Sequence, residues 1–131
     1  MISHHELCFG CGQANLFGLH LELERTPDGG IGGRFFVKQD HQGPPGFAHG
    51  GILSTALDEA MALLVHDERI NALTVRLEVE LKAPAPVGSF VRVDARIESQ
   101  EGRRLNLVAR ATGDGDREVA TARGVFVRVR D

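Results

Sequence analysis

Tryptophan and tyrosine are both missing from this chain, and its seven phenylalanines are the only aromatic residues besides histidine. Proteins that grip single strands or sugars commonly stack them on aromatic side chains, and here only phenylalanine could serve. Basic runs are missing as well. The net charge is −3, and Lys and Arg are scattered along alternating segments, which argues against a nucleic-acid partner. No apolar run reaches about 18 residues without a charge, so no membrane-spanning helix is expected. The opening "MISHHELCFG" lacks the basic and apolar regions of a signal peptide, which makes the cytoplasm the expected location. Two cysteines three positions apart are too few and too close for a secreted disulfide framework. What remains is a 131-residue chain, 42% hydrophobic and 25% charged, with the size and composition of one globular domain spanning 1–131.

Turn residues divide the sequence cleanly. "TPDGG" (26–30) separates two strand candidates, 16–25 and 31–38, as a hairpin would. "HQGPPGFAHGG" is a Gly/Pro loop leading into one helix, predicted over 51–66. Four strand candidates follow. "ALTVRLEVELKA" alternates strictly, which puts Leu73, Val75, Leu77, Val79 and Leu81 on one face and Thr74 on the other. "SFVRVDARIES" repeats the pattern with Val91, Val93, Ala95 and Ile97. "RRLNLVARAT" and "EVATARGVFVRVR", separated by "GDGD", complete the set. Strands with one apolar face need a cover, and the chain offers a single helix. A curved antiparallel sheet of about six strands wrapped around that helix, an α+β architecture, satisfies both needs.

The helix carries an acid pair, Asp58 and Glu59, within an otherwise apolar run. At about 100° per residue, Ile52, Leu53, Ala56, Leu57, Ala60, Met61, Leu63 and Leu64 fill one half of the wheel. Ser54, Thr55, Asp58, Ala62, Val65 and His66 fill the other, with Glu59 at the edge. Asp58 therefore points away from its own core. Its neighbours on that arc are small or apolar, which suits a face pressed against another chain. A Gly-Gly helix start also leaves backbone N–H groups free at the positive end of the dipole, where an oxyanion can bind. Gly50 and Asp58 lie eight residues apart, about 12 Å along a helix. One reacting carbonyl cannot touch both in the same chain, so their cooperation requires a dimer with sites at the subunit interface.

The stretch "HQGPPGFAHGGILSTALDEAM" resembles the His-Gly-Gly motif of the hotdog-fold acyl-CoA thioesterases of the PaaI-like group. The opening "CFGCGQANLFGLHLEL" is similar to the Cys-x-x-Cys-Gly start of one branch. The resemblance implies a hotdog fold, a homodimer that shares its sheet, often a homotetramer, and hydrolysis of an acyl- or aryl-CoA substrate without metal or bound cofactor. The family acid corresponds to Asp58, as general base or nucleophile. The helix-start glycine corresponds to Gly50, whose N–H would polarise the thioester carbonyl, with Gly51 beside it in the substrate site. His49 matches the motif histidine and would shape the loop. Thr74 matches a Ser or Thr found early in the following strand of relatives, although strand parity sets it opposite the core face. Many relatives carry Asn or Gln six residues before the motif histidine; that position is Gly43 here, and Gln42 next door is the candidate replacement. Glu59 is expected to pair with a basic group or reach solvent.

"HHELCFGC" offers His4, His5, Cys8 and Cys11 at spacing that zinc could use. A structural zinc site usually draws on two separated ligand pairs, and no second pair is visible in the sequence. A thioredoxin-like pair would sit after a strand and open a helix, which this Gly-rich start does not do. The expectation is therefore a tight turn with its cysteines packed as small apolar groups. The alternative to an enzyme is a hotdog dimer that binds or senses acyl-CoA without cleaving it; retention of both Asp58 and the Gly-Gly helix start disfavours it.

Overall fold

The computed structural model describes residues 1–129; residue 130 of the last predicted strand and the end of the predicted 1–131 domain lie outside the described residues. Six antiparallel strands form one sheet in the order β1-β2-β4-β5-β6-β3. They are β1 (Glu22–Arg25), β2 (Ile31–Phe36), β3 (Ala72–Leu81), β4 (Phe90–Glu101), β5 (Arg104–Thr112) and β6 (Glu118–Arg128). The helix α1 (Gly50–Asp67) lies against the sheet, packing on β2 through β6. Val91, Val93, Leu105, Leu107 and Phe126 of the sheet are buried with Leu53, Leu57, Met61 and Leu64 of the helix. This is the α+β arrangement expected from the alternation of the strands. Gly124 permits a close approach of helix and sheet: a Cβ there would lie 3.0 Å from the Met61 thioether.

Three local expectations need correction. The first strand begins at Glu22 rather than at 16, because His20 sits at φ +53° and interrupts the extended run. Leu19 and Leu21 instead donate backbone hydrogen bonds to the carbonyls of Phe9 and Gly10, so this segment carries the cysteine turn. Val65, assigned to the outer arc, is buried. The helix ends in a turn with Arg69 at φ +63°, and the Ile70 N–H returns to the Val65 carbonyl. That closing geometry brings the chain back over the last helical turn.

The third correction concerns β3. Its register against β6 shifts at Val75, where an extra residue forms a bulge. Leu73 pairs with Val127 and Thr74 with Phe126, whereas Leu77 pairs with Gly124 and Val79 with Ala122. Directly opposed residues point to the same side of a sheet, and Phe126, Gly124 and Ala122 face the helix side. Thr74 therefore shares the inner face with Leu77 and Val79, and Leu73 does not. Strict alternation cannot register a bulge.

Candidate active site

β3 is an edge strand, and among the described residues nothing pairs with its outer side. Leu73 (63% exposed), Val75, Leu77 and Leu81 stand open along it. Unpaired strand edges with apolar side chains are sites of association. The same strand runs beside both ends of the acid-bearing stretch of α1. Thr74 meets Asp58 near its start, and Leu81 reaches the first helical turn, where a Cβ on Gly50 would lie 2.7 Å from its Cδ1.

The inward turn of Thr74 has a direct consequence. Its hydroxyl donates to Asp58 Oδ1 at 2.9 Å. This is the only side-chain hydrogen bond Asp58 makes among the described residues. Burial pushes the Asp58 carboxyl above the usual carboxylate range; the Thr74 hydroxyl pulls it down, and the neighbouring Glu59 adds to the rise. A partly buried carboxylate with one donor retains lone pairs for water or substrate.

At the helix start, His49 is the N-cap, with extended backbone and its Nδ1 accepting from the Gly51 N–H at 2.8 Å. The Ile52 and Leu53 N–H groups both return to the His49 carbonyl. The Leu53 bond is the first regular helical one; the Gly51 and Ile52 bonds, with the His49 N–H on the His41 carbonyl, occupy three of the four N–H groups that a helix start leaves unpaired. The remaining one belongs to Gly50. The His49 side chain thus does a capping residue's work, and the Gly51 amide, assigned to the substrate site from the sequence, is already committed to it.

The Gly/Pro loop before the helix is built on two residues. His41 is buried, takes the Lys38 N–H on Nδ1, and accepts the His49 N–H on its backbone carbonyl at 2.8 Å. It anchors the loop from below, a role the sequence did not disclose because no period runs through a loop. Gln42 is exposed, and its side-chain carbonyl accepts from the Gly46 N–H. A Cβ at Gly43 would lie only 2.8 Å from His49 Cα. An Asn or Gln at that position would require a different loop path.

Glu59, one residue on from Asp58 and about 100° round the helix, faces the N-terminal segment. It pairs with His4 (Oε2 to Nδ1, 2.9 Å) and accepts from the Cys8 thiol at 3.5 Å. Burial alone would raise its carboxyl, but the hydrogen bonds from His4 and the cysteines outweigh it and hold Glu59 below the usual range. The sequence expectation that Glu59 finds a basic partner is met by a histidine more than fifty positions away.

A concavity of about 760 Å³ lies on the sheet face turned away from α1 and is lined by Glu78, Asp94, Arg96, Arg110 and Arg123 among others. It includes neither Asp58 nor Gly50. Charged, open and distant from the helix, it has the features of a solvated sheet face.

The Thioesterase superfamily family model matches residues 45–120, more than half of the chain, and the chain belongs to that superfamily. Its fold is the hotdog fold of the PaaI-like thioesterases. A variant of the phenylacetic acid degradation protein PaaI from Thermus thermophilus superposes with a TM-score of 0.76 at 25% identity, covering 85% of this chain and 95% of that one. The crystal structure of another thioesterase superfamily protein gives a TM-score of 0.88 at 22% identity over 93% of this chain and 60% of its own. In sequence, acyl-coenzyme A thioesterase THEM4 of Xenopus laevis is 36% identical over 64 residues, which are 49% of this chain and 29% of that protein. The chain thus spans less than a third of that relative's length.

Proposed function

We propose that the chain is a thioester hydrolase acting on acyl- or aryl-CoA, with two equivalent sites at the interface of a homodimer. The observation that carries this reading is Asp58: partly buried, hydrogen-bonded among the described residues only to Thr74, and set beside an open apolar strand edge. Membership of the superfamily and the name of the THEM4 relative support the substrate class.

In this reading the Gly50 N–H of one subunit donates to the thioester carbonyl oxygen and stabilises the oxyanion as it forms. Asp58 of the other subunit stands across the carbonyl carbon, since about 12 Å of helix separates the two within one chain. As general base it takes a proton from water while the water oxygen bonds to the carbonyl carbon. Collapse of the tetrahedral adduct breaks the C–S bond, and the proton goes to the departing thiolate. As nucleophile, Asp58 would instead bond to the carbonyl carbon and expel the CoA thiolate, leaving an anhydride. Water opens it to the free acid and the Asp58 carboxylate, and the released protons pass to the thiolate and solvent. Thr74 orients the carboxylate; His49 and Gln42 hold the loop that presents Gly50. The apolar edge of β3 pairs with its copy, and two such dimers can stack as a tetramer.

The test is thiol release across a panel of short, medium and aryl acyl-CoAs, with Asp58→Asn alongside. Turnover is expected for at least one substrate, with Asp58→Asn reduced by about 10²–10⁴-fold, as for loss of a catalytic base, and still dimeric. Full turnover by Asp58→Asn would overturn the assignment. No release from any substrate, together with thermal stabilisation by acyl-CoA, would favour binding without hydrolysis. Isotope placement in single turnover in heavy-oxygen water separates base from nucleophile.

A further inference from the structure

Outside the site just described, one cluster of ligating side chains among the described residues has no assigned role. We propose that His4, Cys8, Cys11 and Glu59 form a zinc site that clamps the N-terminal segment to helix α1. Their donor atoms all lie within 4.8 Å of one another. The Cys8 and Cys11 sulfurs stand 3.8 and 3.5 Å from His4 Nδ1, and the Cys8 sulfur stands 3.5 Å from Glu59 Oε2. With Zn–S near 2.3 Å and Zn–N and Zn–O near 2.1 Å, a tetrahedron has S···N and S···O edges of about 3.6 Å. These three edges match, and the Cys8–Cys11 and Cys11–Glu59 edges lie within 4.8 Å. The His4–Glu59 edge, 2.9 Å as a direct hydrogen bond, must open to about 3.4 Å.

The backbone around the cluster is shaped for this purpose. Cys8 to Gly12 form a tight turn closed by the Gly12 N–H on the Cys8 carbonyl at 2.8 Å. A Cβ on Gly12 would lie 2.3 Å from the Glu6 carbonyl oxygen, and one on Gly10 would lie 2.4 Å from Glu59 Cγ. Gly12 lets the turn close; Gly10 admits the carboxylate. The His4 N–H points at the Cys11 sulfur at 3.3 Å, and the Ser3 hydroxyl lies 3.5 Å from it. Such donors stabilise a thiolate and fix its direction. The turn is itself held by the ladder from Leu19 and Leu21.

The donor set selects the ion. Two thiolates and an imidazole in a tetrahedron favour zinc over the oxygen-preferring cations. Four protein ligands leave no open position, so the site is structural. Binding displaces the thiol protons and any proton on His4, and affinity falls with acidity. Glu59 follows Asp58 directly, so the clamp fixes the helical turn that carries the candidate catalytic acid. This inference does not rest on the thioesterase reading.

The experiment uses the full chain without an affinity tag, stripped of metal and titrated with Zn²⁺ or Co²⁺ alone. One ion per chain is expected, with thiolate-to-cobalt charge-transfer bands and the intense visible bands of tetrahedral cobalt. Zinc should protect both cysteines from a thiol reagent and raise the melting temperature. The double variant Cys8→Ser, Cys11→Ser should lose the cobalt bands entirely. Glu59→Gln, which preserves shape, should weaken binding by at least the ~10–100-fold that losing an outer-shell partner costs. Should those variants fail to fold, the titration of the unaltered chain decides alone. Equal thiol reactivity with and without zinc would overturn the proposal, as would octahedral cobalt spectra or a Cys8–Cys11 disulfide formed in the presence of excess zinc.

Discussion

Asp58 and Glu59 are adjacent in sequence and opposite in circumstance. Glu59 turns toward the N-terminal segment, where His4 and the cysteines satisfy it and hold its carboxyl low. Asp58 turns toward β3, where it has one hydroxyl and an exposed strand edge, and burial holds its carboxyl high. A carboxylate fully partnered within its own chain is part of the structure. One that is buried and sparsely partnered is poised for something the chain does not contain. About 100° of helical rotation separates the two roles.

The strongest way to break this contrast is to neutralise each acid in turn. Asp58→Asn should lower thiol release by about 10²–10⁴-fold with a melting temperature unchanged or raised. Glu59→Gln should do the reverse: activity within a few fold, and stability lower by about 1–3 kcal/mol from the polar groups left unpaired. Kinetics and thermal melts on both variants check the pair, and equal effects on activity would dissolve the distinction.

Next in size is the strand edge. Leu73→Lys combined with Val75→Lys places like charges where two β3 strands would meet. Sedimentation should show monomer, and turnover should fall with dimer content. Retained activity in a monomer would refute the shared site. Thr74→Val is milder, because it removes one hydroxyl from Asp58 and keeps the volume. It should reduce kcat by about tenfold, the worth of one hydrogen bond to a charged group near 1.5 kcal/mol, with KM little changed.

The smallest effect tests the closing turn of the same helix, far from both acids. Arg69 is exposed and sits at φ +63° where helices usually place glycine. Arg69→Gly should raise stability by up to about 1 kcal/mol and leave turnover untouched, as chemical denaturation would show.

The fold was largely legible because its determinants are periodic. Alternation in β4, β5 and β6 and the helical spacing of Leu53, Leu57 and Leu64 each announce a buried face. The candidate site was legible in part. The His-Gly-Gly start and the acid nine positions on stand in one motif, and their spacing alone separates them by about 12 Å. Thr74 was misdirected because a single bulge at Val75 inverts parity, and nothing in the alternating run marks it. Val65 was misplaced because burial at a helix end depends on where the chain goes next. The cysteine turn shows no second ligand set in its own stretch of sequence because Glu59 comes from a helix about fifty residues away.

The sequence by itself determined the elements, the apolar faces and the motif, since these depend on neighbours within a few residues. Tertiary structure decided which side of the helix each acid serves. It brought Thr74 to Asp58 through a register shift, and it brought His4, Cys8 and Cys11 to Glu59 through a docked turn. Both outcomes are long-range contacts whose partners no local period specifies. They follow from how strand and turn are fixed against the helix.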